Sequence, residues 1–164
     1  MVKKSLEFDQ RVSVEQVEEG IELSPKFNNG VIPCITVHAK TKEVLMFAYM
    51  NEEAMKLTIT SGYAHYWSRS RKALWKKGET SGMYQKVQRM LIDDDQDSLV
   101  IEVLLGKPDK GGDEASCHVG YRSCFYREVR LNERDEKVKL KFIEEEKSFD
   151  PKEIYKGQVN PTKV

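Results

Sequence analysis

Val31-Ile32-Pro33-Cys34-Ile35-Thr36-Val37-His38-Ala39, then Lys40-Thr41-Lys42-Glu43, then Val44-Leu45-Met46-Phe47-Ala48-Tyr49-Met50 follow one another without a break. The first run is rich in β-branched residues and follows Phe27-Asn28-Asn29-Gly30, a turn signal, so it reads as a strand. The last is continuously apolar, as in a strand buried on both faces, although period alone leaves a helix open. The polar connection between them is short enough for a hairpin. Asn51 is a good N-cap, Glu52 and Glu53 place negative charge on a helix's positive end, and Gly62 is a natural stop. Residues 52–61 are therefore expected to be helical, with Ala54, Met55, Thr58 and Ile59 on one packed stripe.

Outward from this unit the chain stays rich in strands. Tyr63 to Ser68 is a short strand leading into a basic segment, and Met83 to Ile92 and Ser98 to Leu105 are two more. Gly106 to Ala115, with paired glycines and mixed charge, is a surface loop. Cys124 to Leu131 and Val138 to Ile143 form a closing antiparallel pair around residues 132–136, and the Glu144-Glu145-Glu146 run begins a solvated polar tail. Before the first strand, Val14 to Gly20 suits a short amphipathic helix. The fold class is α+β, a β-rich single domain, divided into an N-terminal extension (1–27), a central domain (28–131) and a C-terminal strand with tail (132–164).

Composition narrows the function. At 164 residues there is enough material for one real core. Lys+Arg and Asp+Glu balance at 27 each, so no global field points to nucleic acid or to a membrane. The N-terminal lysines are followed by no apolar run, so no secretory signal is read there, and no stretch has the ~18 apolar residues of a membrane span. Three cysteines, Cys34, Cys117 and Cys124, are an odd number without an export signal, which favours metal binding or catalysis over a disulfide framework. The expected compartment is the cytoplasm.

The chemistry concentrates in two stretches. Asp93-Asp94-Asp95-Gln96-Asp97 packs four carboxylates into five positions, which calls for cations or full solvation. If these residues continue a strand, Asp93, Asp95 and Asp97 share one face, a hard-cation set of the kind Mg²⁺ takes, and Asp94 is left to another centre. Cys117-His118-Val119-Gly120-Tyr121-Arg122-Ser123-Cys124 places two thiols around an imidazole, a glycine bend and a fixed positive charge on Arg122. With Asp94 as third ligand, Cys117 and Cys124 make a zinc site open to water, whose pKa zinc would lower to ~7. Two inert buried thiols would be the bland alternative. Cys34, in an apolar strand, is expected in the core. The basic segment Tyr66-Trp67-Ser68-Arg69-Ser70-Arg71-Lys72-Ala73-Leu74-Trp75-Lys76-Lys77 suits phosphate, with Trp67 and Trp75 either stacking on a base or filling a core. A discrete phosphorylated nucleotide fits better than a nucleic-acid strand, because the patch is short and the net charge is zero.

Phe47-Ala48-Tyr49-Met50-Asn51-Glu52-Glu53-Ala54, Tyr66 to Arg71, Leu74 to Gly82, Asp93 to Asp97, Ser116 to Gly120 and Ser123-Cys124-Phe125 together resemble the phosphoribosyl-AMP cyclohydrolase family, over roughly residues 28–130. The resemblance implies a hydrolase of histidine biosynthesis that opens the adenine ring of phosphoribosyl-AMP between N1 and C6. It implies zinc and magnesium, and an intertwined homodimer with the zinc site shared between subunits. Asp93, Asp95 and Asp97 match the family's magnesium aspartates, and Cys117 and Cys124 match two of its three zinc cysteines. Asp94 stands where the third cysteine is expected, and Lys107 to Glu114 looks like an inserted loop. His118 is the candidate acid or base, or else an orienting group. Arg69, Arg71, Lys77 and Ser81 are the candidates for holding the substrate's phosphates. The pyrophosphohydrolase fused to some relatives is expected to be absent. The rival reading is a metal-stabilised nucleotide- or RNA-binding module without hydrolysis.

Overall fold

The structure, a computed structural model, describes residues 5–134 and 136–164. The first residues of the segment read for a leader, and Asp135 in the turn of the closing pair, lie outside it.

Asn29 and Gly30 take left-handed backbone (φ 52° and 79°), closed by an Asn28–Val31 bridge, and aim the chain into β1, Ile32–His38. Alternation then sorts β1: Ile32, Cys34, Thr36 and His38 are buried, and the residues between them are not. His38 Nδ1 accepts from the backbone N–H groups of Lys40 and Thr41 and so stitches the turn into β2, Val44–Met50. The expected hairpin is present and antiparallel. β2 is not buried on both faces, however. It is the edge strand of a four-stranded sheet, and Val44 and Phe47 remain exposed on its outer side. Continuous apolarity reports two apolar surfaces, and only one of them is covered within the chain.

Helix α2, Glu52–Ser61, begins where Asn51 Oδ1 accepts from Ala54 N at 2.9 Å and ends at Gly62 (φ 75°). It buries Ala54, Met55 and Thr58, while Ile59 of the expected stripe is exposed. Strand β3, His65–Ser68, turns back through the arginines into β4, Ala73–Lys76, as an antiparallel pair. Residues 73–76 therefore belong to a strand rather than to a free basic segment. β5, Gln85–Ile92, and β6, Leu99–Leu105, are antiparallel to each other, and β6 lies parallel to β1, giving the order β2-β1-β6-β5. The core gathers Ile32, Leu45, Met50, Met55, Tyr66 and Ile101, with Phe8, Leu23 and Phe27 of the N-terminal extension packed against it. That extension carries α1, Val14–Glu19, capped by Ser13.

Past the thiol segment, β7, Arg127–Val129, and β8, Leu140–Phe142, form the closing pair. The tail beyond is not simply solvated. Asp150 caps a short helix α3, Pro151–Ile154, and Phe149 and Ile154 bury themselves against Met83 and Ala115. Among the described residues no helix is long and apolar enough to cross a membrane.

Candidate active site

The acidic stretch is the turn between β5 and β6 rather than a strand continuation, with Gln96 in left-handed backbone at φ 56°. Turn geometry still produces the partition expected from alternation. Each of Asp93, Asp95 and Asp97 brings a carboxylate oxygen within 4.8 Å of the others, and Asp94 is left exposed. Asp93 organises the turn: its Oδ1 accepts from the N–H groups of Asp97 and Ser98 at 2.9 Å, and its Oδ2 from the Ser98 hydroxyl at 2.6 Å. Burial raises the Asp93 carboxyl, but these hydrogen bonds outweigh it and hold the group below the usual range. Asp97 is pushed up by burial and by the charges of Asp95 and Asp93. A cation among the three oxygens would relieve that repulsion, so the donor set fits a hard metal.

The turn is also gripped from behind. Gln96 is buried, its Oε1 accepting from Ser24 N at 2.8 Å and its Nε2 donating to the carbonyls of Val17 and Glu22 at 3.0 and 3.2 Å. Arg11 adds a bond to the Asp95 carbonyl at 2.9 Å. Fixing the acidic turn is thus a task of the N-terminal extension. Nothing in the sequence marks Gln96 among its acidic neighbours except its lack of charge.

The thiols meet at the other end of the sheet. Bonds from Ser116 N to Arg122 O and from Gly120 N to Cys117 O, with Gly120 at φ 111°, fold residues 116–122 back on themselves. Cys124 N then donates to Leu45 O at 2.7 Å and docks the loop on β2. Cys117 is buried, Cys124 keeps part of its surface at solvent while its sulfur turns inward, and the two sulfurs are close enough to share a proton. The contact with Cys124 lowers the Cys117 thiol to about 7 against the effect of burial, helped by the N–H groups of Val119 and Tyr121 and by Lys77. Cys124 is correspondingly pushed up by its neighbour and by burial. A pair with one ready thiolate suits a soft or borderline cation. Cys34 is in the core as expected, its thiol pushed up to about 12 by burial.

The positive charge beside the sulfurs is not the expected one. Arg122 is engaged by Glu43 and Glu114, each at 2.8 Å. Lys77 supplies the charge instead: it is buried, its Nζ donates to Ser116 O at 2.7 Å, and burial lowers its ammonium while both sulfurs raise it. Behind it runs a buried polar chain. The Tyr66 hydroxyl meets Thr36 Oγ1 at 2.7 Å and donates to Gln85 Oε1 at 2.6 Å, and Gln85 Nε2 reaches Ser116 Oγ at 3.3 Å. Such a satisfied network fixes a loop more firmly than apolar packing does.

The four expected phosphate ligands therefore divide. Lys77 and Ser81 are buried beside the thiol loop, while Arg69 and Arg71 sit on the exposed β3–β4 turn. There they line a cavity of about 530 Å³ with Tyr49, Trp67 and Trp75, and the Arg69 guanidinium lies 3.9 Å from the centre of the Tyr49 ring. His118 is half-buried and lines a different cavity of about 420 Å³. Burial lowers its imidazole and Lys77 lowers it further, while Asn160 acts in the opposite sense.

Asp94 and the thiols are not brought together within one chain. In register, Leu99 faces Cys34, whereas Leu45, which carries Cys124, lies across from Thr36 and Val37. Roughly five residues at ~3.3 Å rise separate the acidic turn from the thiol loop, on the order of 15 Å along the sheet. The described residues of a single chain supply two sulfur ligands but no third beside them.

Residues 46–126 match the family model described as phosphoribosyl-AMP cyclohydrolase, a span that contains the acidic turn, the arginine turn and the thiol loop. The phosphoribosyl-AMP cyclohydrolase of Nitrobacter winogradskyi is 46% identical over 147 residues, covering 89% of this chain and 96% of that protein. The enzyme of the same name from a Caulobacter species is 54% identical over 112 residues, 68% of this chain and 80% of its own. That from Methanocella arvoryzae is 49% identical over 135 residues, 82% of this chain and 99% of its own. With its motifs in order and its length shared with these relatives, the chain belongs to the phosphoribosyl-AMP cyclohydrolase family.

Proposed function

We propose that the protein hydrolyses the N1–C6 bond of the adenine ring of phosphoribosyl-AMP, a step of histidine biosynthesis, in the cytoplasm and as a homodimer. The observation that carries this reading is the meeting of Cys117 and Cys124 on one folded-back loop, which also bears His118, inside the segment matched by the family. Cys117 and Cys124 would hold zinc with Asp94 from a second subunit, since the register keeps a chain's own Asp94 at the far end of its sheet. Asp93, Asp95 and Asp97 would hold magnesium. Bound zinc supplies an acidified water, at a pKa of ~7. The apolar surface left open on the sheet by Ile35, Val44 and Phe47 supports pairing with a second copy.

The remaining work falls to side chains. Ribosylation at N1 leaves the ring electron-poor, and water adds with its oxygen to C6 as the N1–C6 bond breaks, one of its protons passing to N1 and the other to the exocyclic nitrogen, so that C6 ends as a carboxamide. His118, kept largely neutral near pH 7 by burial, accepts a proton from the water and returns it to N1. Arg69 and Arg71 bind a substrate phosphate, with Tyr49 and the tryptophans forming the floor beneath it. Lys77 acts as the buried counter-charge of the two sulfurs, and Ser81 shapes the loop beside it through its bond from Met83 N at 3.2 Å.

Incubating the purified protein with phosphoribosyl-AMP and following ultraviolet absorbance tests the reading. Turnover that chelation abolishes and zinc plus magnesium restores is expected. No turnover under any metal supplementation would instead leave a nucleotide-binding module. Elemental analysis of Asp94→Cys should show zinc held more tightly than in the wild type, because thiolate is the softer ligand.

A further inference from the structure

The tail reaches the site. After β8 the chain returns to the thiol loop: Ser148 N donates to Gly120 O at 2.7 Å, and Asp113 N donates to Ser148 O at 2.8 Å. Phe149 is buried so tightly there that a Cβ on Gly112 would stand 2.7 Å from its own Cβ, and one on Gly120 would stand 2.8 Å from its carbonyl oxygen. Both glycines have φ 111°, so the loop backbone is shaped to receive the tail. From this anchor Tyr155 reaches the Ser81 side chain, Asn160 reaches His118, and Thr162 Oγ1 stands 3.5 Å from His118 Nε2.

The result is a cavity of about 420 Å³, of the size that holds a nucleotide-sized ligand, lined by His118 and otherwise only by residues drawn from 151–161. Lys152 and Lys156 line it, and the one carboxylate on α3, Glu153, is not among the lining residues. The segment matched by the family ends at residue 126, well before this wall begins.

We propose that residues 151–161 form a wall of the substrate pocket over His118, and that Lys152 and Lys156 bind a phosphate of the nucleotide there. This rests on the reading of the protein as a phosphoribosyl-AMP hydrolase. The substrate carries two phosphates, and the arginine turn takes one while the tail takes the other. Tyr155 and Asn160 position the wall through Ser81 and His118, so the tail closes against the groups it serves.

The test compares wild type with Lys152→Ala/Lys156→Ala and with Lys152→Arg/Lys156→Arg. Binding of phosphoribosyl-AMP is measured by calorimetry on chelated protein, and kcat and KM on metal-loaded protein. Both lysines are exposed, and an unchanged thermal transition confirms that the alanine variant folds. The alanine pair is expected to weaken binding and raise KM about tenfold, with kcat within about twofold, and the arginine pair to restore both. Alanine values equal to wild type in both measurements would overturn the assignment. If metal-loaded wild type binds the nucleotide without turning it over, the enzyme reading fails, while the alanine pair still decides the role of the tail.

Discussion

The acidic turn and the thiol loop each concentrate ionisable groups of one kind, and they are stabilised in opposite ways. At the turn, the carboxylates stay near water and are organised by backbone N–H groups and Ser98, with Gln96 fastening the turn to the N-terminal extension. At the loop, the sulfurs lie against a buried cation, Lys77, and a buried hydrogen-bond chain, with the C-terminal tail fastened over them. A hydrated hard cation needs a surface rim of oxygens, whereas a single thiolate in a buried pair needs its neighbouring thiol and a fixed counter-charge to offset the burial that disfavours it. The two ends of the chain, neither within the segment matched by the family model, each pack against one of these clusters.

The sharpest way to break the contrast is Cys117→Ser. It should abolish zinc retention and turnover while leaving magnesium binding at the far turn intact, as read by elemental analysis and the absorbance assay. Gln96→Ala tests the grip on the acidic turn: it orphans the buried Ser24 N and Val17 carbonyl, while the part-buried Glu22 carbonyl can turn to water, and at about 1–3 kcal/mol for each orphaned buried group a loss of about 3 kcal/mol is expected in chemical denaturation. Lys77→Met removes the buried charge beside the sulfurs and should weaken zinc roughly 10–100-fold in chelator competition, with the acidic turn unaffected. Arg122→Ala gives the smallest effect. It breaks two ion pairs at the protein surface, so a loss of about 1 kcal/mol, and a melting-temperature shift of about 2–4 °C, is expected without loss of zinc. A larger zinc loss than with Lys77→Met would return the counter-charge role to Arg122.

Much of the fold was legible locally. The β1–β2 hairpin, α2 with its Asn51 and Gly62 caps, and the closing pair all follow from period and punctuation within short windows. The pairing of β4 with β3 was hidden because charged residues around Ala73–Lys76 mask the alternation of Leu74 and Trp75. In the tail, Asp150-Pro151 is a helix-start signature, and Phe149 and Ile154 are its apolar anchors, yet four residues of helix leave no periodicity to detect. Arg122 and Lys77 could not be told apart in sequence, since adjacency to a cysteine says nothing about which cation turns inward.

By itself the sequence determined which ligand chemistry is on offer, because residue type decides hardness and charge: three aspartates suited to a hard cation and two thiols suited to a softer one. It also determined that Asp94 is separated from its aspartate neighbours, since a strand and this turn both divide alternate residues. Tertiary structure alone decided where these groups stand. The parallel pairing of β1 with β6 joins segments far apart in the chain and puts the two ligand sets at opposite ends of one sheet. Long-range register depends on the sum of many weak contacts, and no short stretch of residues carries that sum.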